Sequence, residues 1–116
     1  MWICQNQSFL SVVALRGDPR KLLVRARVRG HIESVFPKAK VFESMGSDYK
    51  YRTILGRRVV KQVISTQLEN IQYDNFKASV EDDDLHNAYL KIWCVMRELQ
   101  NNLNVAPQKA GLQKTL

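Results

Sequence analysis

The sequence is poor in the features that mark membrane proteins and disulfide-stabilised proteins. Its longest apolar run, Phe9 to Leu15, is interrupted by Ser11 and is far shorter than the ~20 residues that span a bilayer. No basic leader precedes an apolar stretch at the N-terminus, so we expect no secretory signal. The two cysteines, Cys4 and Cys94, lie far apart and form no Cys-x-x-Cys pair. These absences predict reduced thiols in a cytoplasmic protein without membrane partners.

The motifs of the common enzyme and metal-binding classes are also missing. There is no Gly-x-Gly-x-x-Gly, Walker or Gly-x-Ser-x-Gly motif, and neither His31 nor His86 has a partner at metal-ligand spacing. The acidic run Glu81–Asp84 lacks the glycine and distal glutamate of a calcium loop, and we interpret it as a helix cap. We therefore expect a protein that is not an enzyme and uses no cofactor or metal. A cysteine nucleophile aided by a histidine is the weaker alternative.

What the sequence does contain is the composition of a small folded domain. It has 116 residues, of which 45% are hydrophobic and 25% charged. This balance predicts one compact α+β domain over residues 1–101. Residues 102–116 are rich in Asn, Gln, Lys, Pro and Gly, and we expect them to form a disordered tail.

Alternation and turn signals predict the strands of this domain. A short edge strand at residues 2–4 precedes the β-branched run 9–15, which ends at the turn Gly17-Asp18-Pro19. Residues 21–29 then alternate between apolar and basic side chains, so the two segments predict a hairpin. A second pair is predicted at 41–44 and 49–55, with Tyr49 and Tyr51 on the face opposite Lys50 and Arg52.

Helical spacing predicts three helices. A short one runs from His31 to Phe36 and ends before Pro37, and a second covers Arg57 to Ile71. The last begins after Asp82 or Asp83, and its apolar stripe runs from Leu85 to Leu99. The fold class is therefore an antiparallel sheet of four to five strands with two or three helices, the main helices packed on one face.

The charge of the chain is concentrated in its first half. The net charge is +7, and the segment Arg16–Lys61 holds 13 basic and 4 acidic residues, an excess of +9. Such asymmetry favours an anionic partner, either nucleic acid or an acidic or nucleoprotein complex. The candidate binding residues are Arg25, Arg27, Arg29, Lys50, Arg52, Arg57, Arg58 and Lys61.

The row Arg25, Arg27 and Arg29 is the most specific feature, because alternate residues of a strand share a face at about 6.6 Å spacing. Arg binds phosphate through paired hydrogen bonds, so the row fits a nucleic-acid backbone. An arginine row is equally typical of a solvated sheet face, and both interpretations stay open. Trp93 lies beside the stripe of the last helix and is a candidate protein contact.

Three segments resemble a family of small bacterial and phage-borne proteins with no established activity. They are Asp18-Pro19 with Leu23–Arg27, then Asp48–Arg52, and Asn75–Val80 followed by Tyr89 and Trp93. The resemblance implies a mobile-element context in which small proteins often act by binding, as anti-CRISPR proteins do.

Two hypotheses follow. The first is a non-enzymatic protein that binds nucleic acid, or a complex bearing it, through a basic sheet face. The alternative is a phage or mobile-element inhibitor or adaptor that acts by protein–protein contact. The sequence leaves open whether the protein is a monomer or a homodimer, although pairing through the basic face would force like charges together.

Overall fold

The computed structural model describes residues 1–104 and shows an α+β fold, which confirms the predicted class. The elements are β1 Trp2–Cys4, β2 Phe9–Ala14, β3 Lys21–Ala26, α1 His31–Val35, β4 Phe42–Glu43, β5 Tyr51–Gly56, α2 Arg57–Glu69 and α3 Asp83–Asn104, with a 3₁₀ turn at Lys77–Ser79. Among the described residues, no helix is both long enough and apolar enough to cross a membrane.

The five strands form one antiparallel sheet in the order β1-β2-β3-β5-β4. The predicted hairpin between β2 and β3 is confirmed. In its turn Gly17 has a φ of +88°, which glycine adopts without steric cost, and Asp18 Oδ1 accepts a hydrogen bond from the Arg20 amide at 3.0 Å. The chain then leaves β3, forms α1 and β4, and returns with β5 between β3 and β4.

Helices α1 and α2 pack on one face of the sheet, which we call the core face. Its strand residues alternate along β2, β3 and β5, as Leu10, Val24 and Tyr51 illustrate. Ile32 of α1 and Val60 of α2 pack against them, and Leu10, Val24 and Ile32 have no exposed surface. The alternation of the strands and the stripe of α2 thus meet in one core.

The opposite face of the sheet, which we call the open face, carries the other residue of each alternating pair. Ile54 is 44% exposed and Phe42 46% exposed on this face. Neither α1 nor α2 packs there, because both belong to the cluster on the core face. The open face is therefore accessible at Trp2, Phe42 and Ile54, whereas Ser11 at its centre is 1% exposed and Phe9 at one end packs with α3.

Helix α3 attaches to the turn between β1 and β2 by its first two turns. Leu85 and Tyr89 are its buried residues, and they pack with Phe76, Val80 and Phe9. The predicted capping is confirmed, since Asp82 Oδ2 accepts a hydrogen bond from the Leu85 amide at 2.8 Å.

The end of α3 corrects one prediction. Residues 102–104, expected to open a disordered tail, belong to the helix. The physical reason is that Leu103 continues the helical apolar spacing that runs through Ile92 and Leu99. The remainder of the predicted tail, residues 105–116, lies outside the described residues.

Candidate functional site

A line of side chains crosses the whole open face and joins all five strands. Directly paired residues place Trp2, Ser11, Arg25, Arg52 and Phe42 next to one another in that order, and we call this line the cross-sheet row. Directly opposed residues of antiparallel strands point to the same side, so all five share the open face. Four strand spacings of about 4.8 Å separate its ends by about 19 Å. Both ends are aromatic and accessible, because Trp2 is 67% exposed and Phe42 46% exposed.

Tyr49 lies over the centre of this row. Its side chain is buried, and the guanidinium carbons of Arg25 and Arg27 lie 4.4 Å and 4.1 Å from its ring centroid. Trp2 Nε1 donates a hydrogen bond to the Tyr49 hydroxyl at 3.1 Å. With Arg52, whose Nε donates to the Tyr49 carbonyl at 3.1 Å, these residues form what we call the Tyr49 cluster. Cation–π stacking holds its arginines in fixed positions.

The Tyr49 cluster carries more positive than negative charge. Arg52 pairs with Asp48 at 3.6 Å, whereas Arg25 and Arg27 have no carboxylate partner among residues 1–104. Arg25 Nη2 donates instead to Ser11 Oγ, and Arg27 Nη1 to the Asp48 carbonyl, both at 2.8 Å. Arg25 Nε is buried and has no acceptor within the described part of the chain. Three guanidinium groups thus face one carboxylate, which leaves a positive potential on the open face.

Arg29 and Lys50, predicted to belong to the same basic platform, lie elsewhere. Their nitrogens are 3.5 Å and 3.7 Å from the carboxylate oxygens of Glu43, and both cations approach the ring of Tyr51. Tyr51 belongs to the core. Strand alternation governs neither residue, because β3 ends at Ala26, before Arg29, and β5 begins at Tyr51, after Lys50.

Arg57, Arg58 and Lys61 form a third basic group, on the first turns of α2. The Arg57 amide donates to the Arg20 carbonyl at 2.8 Å, and its Nε donates to the Pro19 carbonyl at 3.1 Å. This basic group lies at the C-terminal end of β5, about 17 Å along the strand from Tyr51 at its N-terminal end. The structure therefore divides the eight candidate basic residues among three places and brings three of them, Arg25, Arg27 and Arg52, to the Tyr49 cluster.

Trp93, the candidate protein contact, is 43% exposed on α3. Lys77 Nζ and the Arg97 guanidinium carbon lie 4.7 Å and 5.2 Å from its ring centroid. Tyr89 lies one helical turn before Trp93 and packs on Phe76, with ring centroids 5.1 Å apart. Trp93 is therefore accessible and flanked by cations, outside the Tyr49 cluster.

Sequence reasoning missed Trp2, Phe42 and the position of Tyr49. Trp2 and Phe42 lie on strands of three and two residues, too short for alternation to assign a face. Tyr49 was expected on the face of Tyr51, but β5 begins at Tyr51, and the preceding turn carries Tyr49 to the arginine side. The available signal was the choice of large aromatic residues for two edge strands.

The clear pKa shifts in the described chain fall at the base of α3 and near β2. Burial raises the pKa of Cys4 and of Tyr89 above their ordinary values. Burial lowers the pKa of His31, whose Nδ1 accepts a hydrogen bond from the Phe9 amide at 3.0 Å, while the nearby Asp82 carboxylate acts in the opposite direction. Because the buried Tyr89 and the half-buried His31 both form hydrogen bonds with backbone groups, we assign them to the attachment of helices.

Comparison with protein-family models, curated proteins and solved structures finds no match for this chain. The resemblance to small phage-borne proteins therefore stays a prediction. Among residues 1–104, no three His, Cys, Asp or Glu side chains come together as a metal site would require. The Tyr49 cluster and the cross-sheet row are the surface on which we base a functional proposal.

Proposed function

We propose that this protein binds single-stranded nucleic acid, or a nucleoprotein complex that presents it, on the open face of its sheet. In this proposal it acts in the cytoplasm by binding and carries out no reaction. The observation that supports the proposal is the cross-sheet row, which has an accessible aromatic ring at each end and arginines between them.

Trp2 and Phe42 would supply the stacking surfaces. A base stacked on an aromatic side chain contributes about 1–3 kcal/mol with little dependence on sequence. Arg27 is exposed and has no carboxylate partner in the described chain, so its guanidinium is available to a phosphate. Arg25, held by Tyr49 and Ser11, would add charge from beneath the surface.

The dimensions of the row favour a single strand over a duplex. The row is about 19 Å long across the strands, whereas the DNA major groove is about 12 Å wide, so the sheet face cannot enter it. A duplex would meet this face only through phosphates, and its bases would stay stacked on each other. A single strand can offer both bases and phosphates to the aromatic and basic groups.

The test is fluorescence anisotropy with labelled single-stranded and duplex oligonucleotides of matched sequence, measured over a series of salt concentrations. Arg27→Gln should weaken single-strand binding and reduce the slope of log K against log salt by about 0.7 for the lost phosphate contact. Arg58→Gln is the matched control, since it removes the same charge from an exposed residue of α2. Phe42→Ala should weaken binding by about 1–3 kcal/mol.

Equal affinity of the wild type, Arg27→Gln and Phe42→Ala would refute this use of the open face. Equal losses in Arg27→Gln and Arg58→Gln would mean that net charge, not the Tyr49 cluster, drives binding. Circular dichroism and thermal unfolding of each variant would exclude a loss caused by misfolding.

A second candidate function, protein–protein contact by an inhibitor or adaptor, is supported by the neighbouring row of the open face. There Val13, Leu23 and Ile54 are directly paired across β2, β3 and β5, and Ile54 is 44% exposed. An apolar row of this kind suits a protein surface. Wild-type protein and Ile54→Glu would be used as baits in a nuclease-treated bacterial lysate. A protein retained only by the wild type would support this candidate, and no such protein would count against it.

A further inference from the structure

Helix α3 carries an apolar line that is much longer than its buried part. Its members follow one another at alternating intervals of four and three residues, the heptad spacing of a helix-pairing surface. We call this line the α3 seam, and it consists of Leu85, Tyr89, Ile92, Met96, Leu99 and Leu103. Only the first two members are buried, against the body of the protein. Ile92, Met96, Leu99 and Leu103 are 41–55% exposed.

The seam stays apolar after contact with the body ends. From Ile92 to Leu103 the helix rises about 17 Å at 1.5 Å per residue, or three turns. A helix that needed only its first two turns for folding would be expected to turn polar on all sides beyond them. The composition therefore points to a partner for the second part of the seam.

The flanks of the seam are neutral. In heptad positions the neighbours of the seam between Ile92 and Leu103 are Trp93, Val95, Gln100 and Asn102, and none of them is charged. The charged residues of this part of α3, Lys91, Arg97 and Glu98, occupy the outer positions of the heptad. A second copy of the same helix would therefore meet no like charge at these heptad positions, although Lys77 and Arg97 approach the ring of Trp93 and each chain carries a net charge of +7.

We propose that this seam is a homodimer surface, on which α3 pairs with α3 of a second copy of the chain over residues 92–103. This inference does not depend on nucleic-acid binding. The area available is sufficient, because the exposed parts of Ile92, Trp93, Val95, Met96, Leu99 and Leu103 offer roughly 600 Å² per chain and roughly 1,200 Å² per pair, the lower end of specific interfaces.

The charge of the body selects an antiparallel pair. A parallel pair would place two basic bodies side by side, whereas an antiparallel pair keeps them at opposite ends of the paired helices. In the antiparallel order Met96 lies against Leu99 of the second copy and Ile92 against Leu103, so each layer joins two seam residues. Cys94 lies on the outer side of α3, away from these layers.

The first test is sedimentation equilibrium of the full chain across micromolar concentrations. The wild type should have twice the chain mass of 13.4 kDa. Met96→Glu buries a charge in the seam and should raise the dimer dissociation constant at least ~tenfold. Asn101→Glu adds the same charge on the outer side of the helix and should leave the mass of the dimer unchanged.

A monomeric wild type at every concentration would overturn the proposal, as would a dimer that persists unchanged in Met96→Glu. Far-ultraviolet circular dichroism would show that Met96→Glu keeps its helix. If that variant fails to fold, Leu103→Glu provides the same comparison at the far end of the seam, and its failure to weaken the dimer would equally overturn the proposal.

Disulfide trapping tests the direction of the pair. In a background without Cys4 and Cys94, Met96→Cys chains are mixed with Leu99→Cys chains and oxidised. The antiparallel pair should give mainly mixed disulfides, because these positions face each other. Mainly Met96→Cys homodimers would overturn the antiparallel order, and no cross-linking in any combination would overturn the interface itself.

Discussion

Removing the hydroxyl of Tyr89 tests how α3 is attached to the sheet. This hydroxyl lies 2.7 Å from the Ser8 carbonyl and 2.9 Å from the Gln5 carbonyl, and it donates its proton to this pair of acceptors. Its ring is 4% exposed and packs on Phe76. The attachment therefore has a polar part and an apolar part that can be removed separately.

We expect the polar and apolar parts to contribute different amounts to the free energy of unfolding. Tyr89→Phe keeps the ring and removes the hydroxyl, and each accepting carbonyl also accepts a backbone amide of the β1–β2 turn, so it keeps one partner. We expect a loss of about 0.5–1.5 kcal/mol in the free energy of unfolding. Tyr89→Ala also removes the buried ring and leaves a cavity, and we expect a loss of about 3–5 kcal/mol.

Urea unfolding provides the assay, and the two tryptophans report on different parts of the molecule. Trp93 lies one turn after Tyr89 on α3, and Trp2 lies on β1. Versions that keep only Trp93 or only Trp2 would show whether α3 separates before the sheet unfolds. We expect the two transitions to coincide in Tyr89→Phe and to separate in Tyr89→Ala, because the second variant loses most of the contact.

Two results would refute this reasoning. Unchanged stability of Tyr89→Phe would show that the hydroxyl does not anchor the helix to the turn. An equal loss in Tyr89→Phe and Tyr89→Ala would show that the ring contributes nothing beyond its hydroxyl, which contradicts the packing against Phe76.

Two further predictions concern the folded core. Burial lowers the pKa of His31 from its ordinary value of about 6.5. Below that pH the folded state therefore binds fewer protons than the unfolded state. The free energy of unfolding should be at its full value above that pH and decline below it. His31→Asn keeps an acceptor for the Phe9 amide without a titrating ring, and urea midpoints measured from about pH 5 to 7 should then decline less than those of the wild type. An equal decline in both proteins would contradict this origin. Leu10 has no exposed surface, so Leu10→Ala leaves a buried cavity and should lower the free energy of unfolding in urea by about 2–5 kcal/mol. Leu68 is 64% exposed, and Leu68→Ala should change the same quantity by less than about 0.5 kcal/mol. Similar losses at Leu10 and Leu68 would show that the assigned core is wrong.

The parts of this fold that depend on neighbours in sequence could be predicted. Asp18 and Pro19 mark the turn of the β2–β3 hairpin, and local alternation assigns Val24 and Ala26 to the core. Helix α2 follows from its own apolar spacing, and the cap of α3 follows from the acidic residues before it. Each of these features depends on a few adjacent residues.

The candidate site depends instead on register between distant strands, which the sequence does not contain. The cross-sheet row requires Trp2 to oppose Ser11, and Phe42 to oppose Arg52, and a shift of one residue would move either ring to the other face. The basic residues show the same limit, because alternation predicts Arg25, Arg27 and Arg29 on one face while the end of β3 at Ala26 frees Arg29 to reach Glu43.

The ion pairs of Glu43 also affect how the sheet ends. An open strand edge offers unpaired amides and carbonyls, to which strands of other molecules can add to form aggregates. The β4 edge is only two residues long, and Arg29 and Lys50 are held beside it by Glu43. Short length and fixed charge both discourage strand addition. The cations that are absent from the Tyr49 cluster thus protect this edge of the sheet against backbone pairing with other molecules.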